Sequence, residues 1–305
     1  MKITIVGAGQ VGATLAQRVL EADLADVVLV DVVDGIPQGK ALDLSQESAV
    51  LGCDRKILGT NRYQDTAHSD LIVITAGLPR KQGMTREDLL QANANIVRDV
   101  VKKTMEYSPS TIIIVVTNPL DVMTYLAYKV SGLPPQKIIG MAGILDSARM
   151  ASFIAERLQV SVSTIQAMVL GSHGDTMVPI PRFTTISGIP LTELIPAEEI
   201  EKIIQRTREG GAEIVAYLKS GSAFYAPSAS ILQMIKAIIN DKKSLFPVSA
   251  FVNGHYGLQD IFIGVPAKLG RNGVEQILEI PLEPTEKDAL HRSAKVIKEG
   301  IASLK

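Results

Sequence analysis

Ile3-Thr4-Ile5-Val6-Gly7-Ala8-Gly9-Gln10-Val11-Gly12 is the stretch on which the fold turns. A short β-prone run meets a Gly-x-Gly-x-x-Gly pattern, and helix-compatible residues continue to about Leu20. Glycines so spaced allow a tight strand-to-helix turn, so that backbone N–H groups at the helix start face a pyrophosphate. Val27–Val30 reads as the next strand, and Asp31 ends it, 19 positions after Gly12. A carboxylate there accepts the ribose hydroxyls of NAD and repels the extra phosphate of NADP. The competing reading is a glycine-rich turn beside a surface Asp; strand, helix and Asp together favour the dinucleotide.

Outward from that unit, strand and helix patterns alternate. Leu71–Thr75 and Thr111–Thr117 are continuous apolar and β-branched runs, as in strands covered on both faces. A short piece near Ile57 and another at Lys137–Ile139 complete the series, and Arg86–Met105 carries apolar residues at near-helical spacing. This alternation predicts a Rossmann-type doubly wound parallel sheet, an α/β fold, over residues 1–143. Beyond Gly143 the order changes to a helix (Leu145–Leu158), a strand (Thr164–Leu170) and long helices at Glu198–Lys219 and Tyr225–Asn240. Strands follow at Leu245–Val252, Ile261–Pro266 and Leu278–Ile280, with a last helix near Glu286–Leu304 capped by Thr285 and Asp288. Residues 144–305 therefore read as an α+β substrate domain docked against the first, with a cleft between.

Composition narrows the class. The 305 residues are 46% hydrophobic and 21% charged with net charge −1, which argues against disorder and against a nucleic-acid surface. Cys53 is the only cysteine, so neither an internal disulfide nor a multi-cysteine metal site is possible. The N-terminus lacks a signal-peptide pattern, and no apolar run reaches the ~18–20 residues of a membrane helix. A cytoplasmic location, without membrane or nucleic-acid partners, is expected.

Four places look chemical. Gly77–Arg86 is a loop with three cations, Arg80, Lys81 and Arg86, and no acidic residue; it reads as a solvated turn or as an anion clamp. Asn118 sits before Pro119 at the carboxyl edge of a strand, as a simple Asx turn or a ligand contact. Asp146 and Arg149, three apart on one helical face, read by spacing alone as a local ion pair. His173 lies between Ser172 and Gly174 with Asp175 just beyond, either a turn histidine or one a ligand can approach.

Taken in order, GAGQVG (7–12), Asp31, DGIPQGKALDL (34–44), TAGLPRKQGMTR (75–86), TNPLD (117–121), LDSAR (145–149) and GSHGD (171–175) resemble the lactate/malate dehydrogenase family over essentially the whole chain. Within it the chain looks most similar to the malate-type members that resemble lactate dehydrogenase. The resemblance implies an NAD-dependent oxidoreductase acting on a small 2-hydroxy acid, in a homodimer or homotetramer. By it His173 is the acid/base, Asp146 holds its imidazole, Arg149 takes the substrate's C1 carboxylate, Arg86 polarises the reacting carbonyl and Asn118 hydrogen-bonds the substrate. Gly7, Ala8, Gly9, Gln10, Val11, Gly12, Asp31, Asn93, Val116, Thr117 and Asn118 would contact NAD. Gly77 and Gly83 would let the loop swing as a lid, and Lys81 has no assigned role. Arg80 falls where the lactate enzymes of the family carry Gln and the malate enzymes Arg. A second substrate carboxylate buried under the loop needs such a counter-charge, whereas pyruvate would leave Arg80 unpaired at a cost of roughly several kcal/mol. Ala223 aligns with the other position facing the substrate's side chain, and Gln82 replaces a proline common in malate-type loops.

Malate/oxaloacetate is therefore the expected pair. A lactate dehydrogenase is the nearest alternative, separated by residue 80. An NAD-dependent glycosidase would need a Cys/His metal site, which Cys53, distant from His173, does not offer. A non-catalytic nucleotide-binding protein would have no need of His173, Asp146, Arg149 and Arg86 together.

Overall fold

Branched apolar runs pair most readily where both faces are covered, and these runs build one long sheet. The computed structural model describes residues 1–79 and 84–304; Arg80, Lys81, Gln82 and Gly83 lie outside the described residues. Strands β1 (Lys2–Val6), β2 (Asp26–Val30), β3 (Ile57–Thr60), β4 (Leu71–Ile74), β5 (Ile112–Val115) and β6 (Ile138–Gly140) run parallel in the order 3-2-1-4-5-6. That is the Rossmann order, with its switch point between β1 and β4. Helices α1 (Gln10–Glu21), α2 (Ile36–Leu51), α3 (Arg86–Tyr107) and α4 (Leu120–Ser131) are the connections. α1 buries Leu15, Ala16, Val19 and Leu20, an i, i+1, i+4, i+5 stripe against the sheet. α2 gives no such signal, because Ile36, Leu42, Val50 and Leu51 stay exposed, and the sequence reading did not anticipate it.

The rest of the chain is α5 (Gly143–Leu158), β7 (Ile165–Gln166), β8 (Val169–Gly171), β9 (Met177–Pro179), β10 (Thr185–Ile186), β11 (Ile189–Pro190), α6 (Ala197–Leu218), α7 (Tyr225–Ile239), β12 (Ser244–Val252), β13 (Ile261–Gly270), β14 (Gly273–Ile277) and α8 (Pro284–Ala302). The expected strand Thr164–Leu170 is in fact two. β7 joins a small sheet with β10 and β11, and β8 joins the main sheet, the break falling at Ala167 and Met168. The expected strand Leu278–Ile280 is replaced by β14, which folds back on β13 through a tight turn at Arg271 and Asn272. The last helix is capped by Glu283, whose carboxylate takes the Glu286 N–H while Glu286 answers to Glu283, and Thr285 and Asp288 are not its cap.

The two halves share one sheet. Beyond β6 come β12, β13, β8 and β9, all antiparallel, with a single residue pair joining β6 to β12. One transverse row crosses this seam: Gly140 faces Ser249, Ser249 faces Gly264, and Gly264 faces Gly171. Every member is small because the space is small. A Cβ on Gly140 would stand 2.6 Å from Thr124 Oγ1 and 2.7 Å from Ser249 Cβ, and one on Gly264 would collide with the Gly171 carbonyl. A main core fills both faces of the sheet, and a second, around Met150, Ile154, Ile200 and Ile204, packs α5 on α6. Among the described residues no helix is long and apolar enough to cross a membrane, and no His, Cys, Asp and Glu cluster could hold a metal ion.

The row sets a stability prediction. Gly140→Ala forces the seam apart and should cost about 1–3 kcal/mol, the range for overpacked interiors, read as a lower thermal midpoint than the parent; an unchanged midpoint would show the seam to be slack.

Candidate active site

The glycine turn fits a dinucleotide. Gly7 adopts a φ of 107°, and a Cβ there would lie 2.7 Å from Ala76 N. A Cβ on Gly12 would strike the Gly7 carbonyl, whereas Gly9 faces open space. Gly9 is also the N-cap of α1, where no side chain caps the helix and no acid sits in the first turn. That end is therefore left for an anion. Ala8 N–H donates to Asp31 Oδ2 at 2.7 Å and Val33 N–H to Oδ1 at 3.0 Å, so each carboxylate oxygen keeps a lone pair for a ribose hydroxyl. Lys40, which carried no assignment from sequence, clamps the turn from α2 through a 2.7 Å bond to the Ala8 carbonyl.

The next wall comes from β4, β5 and α3. Val116 N–H donates to the Ile74 carbonyl at 2.9 Å, and Thr117 Oγ1 to the Ala76 carbonyl at 2.7 Å, so both residues extend the sheet edge past the strand proper. Asn118 is exposed at that edge. Asn93 is buried beneath it: its oxygen accepts the Leu78 N–H at 2.8 Å, and its nitrogen donates to the carbonyls of Asn118 at 2.8 Å and Leu78 at 3.2 Å. Both amide protons are thus spent on bracing, and a cofactor contact by Asn93 is left to the oxygen's second lone pair. Arg86 is the first residue of α3 rather than a loop residue, behind a Thr85–Asp88 capping box. Its guanidinium reaches Asp175 Oδ2 at 3.2 Å, an exposed pair of little energetic weight that nonetheless aims Arg86 at the histidine loop. Arg80 lies outside the described residues, and Ala223 is half-buried in the connection between α6 and α7.

The centre is built on α5 and on the loop after β8. Asp146, one turn into α5, is 1% exposed and divides its carboxylate between two donors. His173 Nδ1 lies 2.9 Å from Oδ2, and Arg149 Nη1 lies 3.3 Å from Oδ1. The spacing that reads as a local ion pair is thus one arm of a three-residue system. Arg149 has a 14% exposed side chain and a buried Nε without a partner among the described residues, so its guanidinium has donors to spare for a planar anion. Burial pulls the His173 imidazole toward its neutral form. The charge and hydrogen bond of Asp146 outweigh this, despite opposition from Arg149, and the pKa ends above its ordinary 6.5.

One contributor went unassigned in the sequence. Asp121, the last residue of TNPLD, is 3% exposed and accepts the His173 N–H at 3.0 Å and the Ser249 hydroxyl at 2.7 Å. Burial pushes its carboxyl up to about 6. Asp121 is an acid in a first helical turn, where a carboxylate favours the positive helix end whether or not it is buried, and nothing in the pattern marks it as buried.

Comparisons with known proteins identify the family. Residues 1–140 match the lactate/malate dehydrogenase NAD binding domain, and residues 144–305 match the lactate/malate dehydrogenase alpha/beta C-terminal domain. A malate dehydrogenase of Pelodictyon phaeoclathratiforme is 57% identical over 305 residues, 100% of this chain and 98% of that one. The malate dehydrogenase structure from Salinibacter ruber superposes with a TM-score of 0.95 at 49% identity, covering 99% of this chain and 97% of the other. A Cryptosporidium parvum lactate dehydrogenase complexed with lactic acid and NAD also superposes at 0.95, with 42% identity and coverage of 99% and 96%. The chain belongs to the lactate/malate dehydrogenase family.

Proposed function

We propose that this chain is an NAD-dependent malate dehydrogenase that interconverts (S)-malate and oxaloacetate, with residues 1–143 holding the cofactor and 144–305 the substrate. The observation that carries the reading is the Asp146 carboxylate shared between His173 and Arg149. That shared contact supports reading His173 as an acid/base and Arg149, beside it, as a carboxylate receptor. NADH, when bound over Gly7–Gly12 and Asp31, supplies the hydride. With Nδ1–H donated to Asp146, Nε2 of His173 carries the exchangeable proton and would give it to the ketone oxygen in the reduction. In the reverse direction Nε2 takes the proton from the hydroxyl. Asp146 fixes the tautomer and stabilises the imidazolium. Arg149 binds the C1 carboxylate as a two-hydrogen-bond fork, which orients the reacting carbon. Arg86 polarises the carbonyl, and Asn118 holds the substrate from the β5 edge.

Arg80 supplies the choice of substrate through the residue type at its position, and malate as that substrate is supported by full-length relatives named malate dehydrogenase. An L-lactate dehydrogenase, which reduces pyruvate, is the second reading, since the fold is shared with a lactate dehydrogenase at 42% identity. The enzyme is read as cytoplasmic and as a homodimer or homotetramer.

Steady-state rates with oxaloacetate and pyruvate, each with NADH and NADPH, decide the substrate and cofactor. Oxaloacetate with NADH should prevail in both comparisons, and equal efficiency with pyruvate would sink the malate assignment. Arg80→Gln should move preference toward pyruvate with NADH affinity retained; loss of cofactor affinity along with both activities would point to a structural role instead.

The pH dependence follows from His173. Its folded pKa lies above 6.5, so reduction, which needs the imidazolium, should hold at low pH and fall as pH rises through a value above 6.5. Oxidation should rise through the same value. Asp146→Asn removes the charge that raises the pKa and leaves the opposing burial and Arg149, so the break in kcat/KM should move downward, below 6.5. A break that stays in place would detach the titration from this pair.

A further inference from the structure

Gly171 and Gly174 have φ of 81° and 146°, values that only glycine takes without strain. Gly171 is held in the β8 pairing, whereas Gly174 faces open space, so beyond β8 the chain at His173 is not set by the sheet ladder. Its position depends on outside anchors. Asp146 holds the ring, and Ser293 of α8 accepts the Ser172 N–H at 2.7 Å, one residue early. Among the described residues it is Asp121, in the first turn of α4, that takes the main-chain N–H of His173 itself. Its second oxygen is occupied by Ser249, the member of the small-residue row that joins the two halves of the sheet.

We propose that Asp121 is a positioning residue for the acid/base: it takes the His173 N–H on one oxygen and the Ser249 hydroxyl on the other, and so sets where the imidazole meets the substrate. The alternative, an Asp placed to favour the positive end of α4, does not need a buried carboxylate directed at other elements. No side-chain cap is made at that helix end, and both carboxylate oxygens are engaged outside the helix. Fixing both ends of His173 also explains why two carboxylates converge on one residue. Asp146 restricts rotation of the ring and Asp121 restricts translation of the backbone. A misplacement of ~1 Å at a reacting group is enough to cost about 100-fold in rate. Asp121 lies three positions after Asn118, so the same helix start that carries the substrate's hydrogen-bond partner also carries the anchor of its proton donor.

The inference rests on the reading of His173 as acid/base, which fails separately if His173→Asn retains the parent rate. Asp121→Ala should lower kcat about 100-fold, with NADH affinity within about twofold of the parent and the KM for oxaloacetate within about threefold, since the glycine turn and Arg149 are untouched. Binding is read from the fluorescence of NADH, in a chain with no tryptophan. Asp121→Asn keeps an oxygen for the His173 N–H and offers Ser249 an N–H in place of the acceptor, so it should recover kcat to within about fivefold of the parent. A parent-like kcat in Asp121→Ala overturns the inference. So does a loss of kcat matched by loss of NADH binding, or an Asp121→Asn variant as slow as the alanine. If Asp121→Ala does not fold, Ser249→Ala decides. Freeing one oxygen of the anchor should lower kcat about three- to tenfold with NADH affinity retained, and an unchanged kcat overturns the inference.

Discussion

A carboxylate with 1% of its surface exposed, shared between an imidazole at 2.9 Å and a guanidinium at 3.3 Å, is the constraint on which this molecule depends. Removing a carboxylate from water is costly, and it is recovered only when good donors stand in the right places. Asp146 has two such donors from two parts of the chain. Arg149 comes with it on α5, by helical spacing; His173 arrives on the loop after β8. Every element that fixes those two positions serves the charge at the centre, from the pairing of β8 on β13 to the second core under α5.

This explains the distribution of polar groups across the site. Around the glycine turn the donors are backbone N–H groups and the acceptor is Asp31, an arrangement suited to an anionic ligand with hydroxyls. From 32 residues beyond Ala8, Lys40 steadies that turn without entering it. On the substrate side the charges are side chains with spare hydrogen-bonding capacity, above all Arg149 with its buried Nε. Under the proposed function the site divides by chemistry as well as by position, with main chain for the pyrophosphate, guanidinium for the carboxylate and imidazole for the proton.

Much of this was legible in the sequence, for physical reasons. The parallel sheet announced itself through runs such as Leu71–Ile74 and Ile112–Val115, whose burial on both faces permits no polar alternation. The glycine turn was legible because Gly7 and Gly12 answer steric demands at their own places, while Gly9 leaves the approach to the helix start open. His173, Asp146 and Arg149 were not legible from spacing, which reads Asp146 and Arg149 as an ion pair; family resemblance brought them together, and the geometry shows why the spacing misleads. Other features left no trace that a local pattern could carry. α2 exposes much of its apolar surface, so no stripe marks it. The strand expected over Thr164–Leu170 divides because its two ends pair with different sheets, a matter of partners rather than propensity. Asp121 looks like any acid at a helix start until Ser249, 128 residues later, is folded against it.

The row of Gly140, Ser249, Gly264 and Gly171 has an evolutionary consequence. A nucleotide-binding half and a substrate half on separate sheets could be traded between proteins like interchangeable parts, with only a linker to match. These halves meet through main-chain pairing at side chains too small to yield, so each carries the imprint of the other's surface. A chimaera spliced at the domain boundary inherits a seam drawn from two parents, and a mismatch of one methyl group falls within reach of the histidine. Change in this lineage is therefore channelled away from the seam to connections such as the one between α6 and α7 that carries Ala223, and the halves are passed on together.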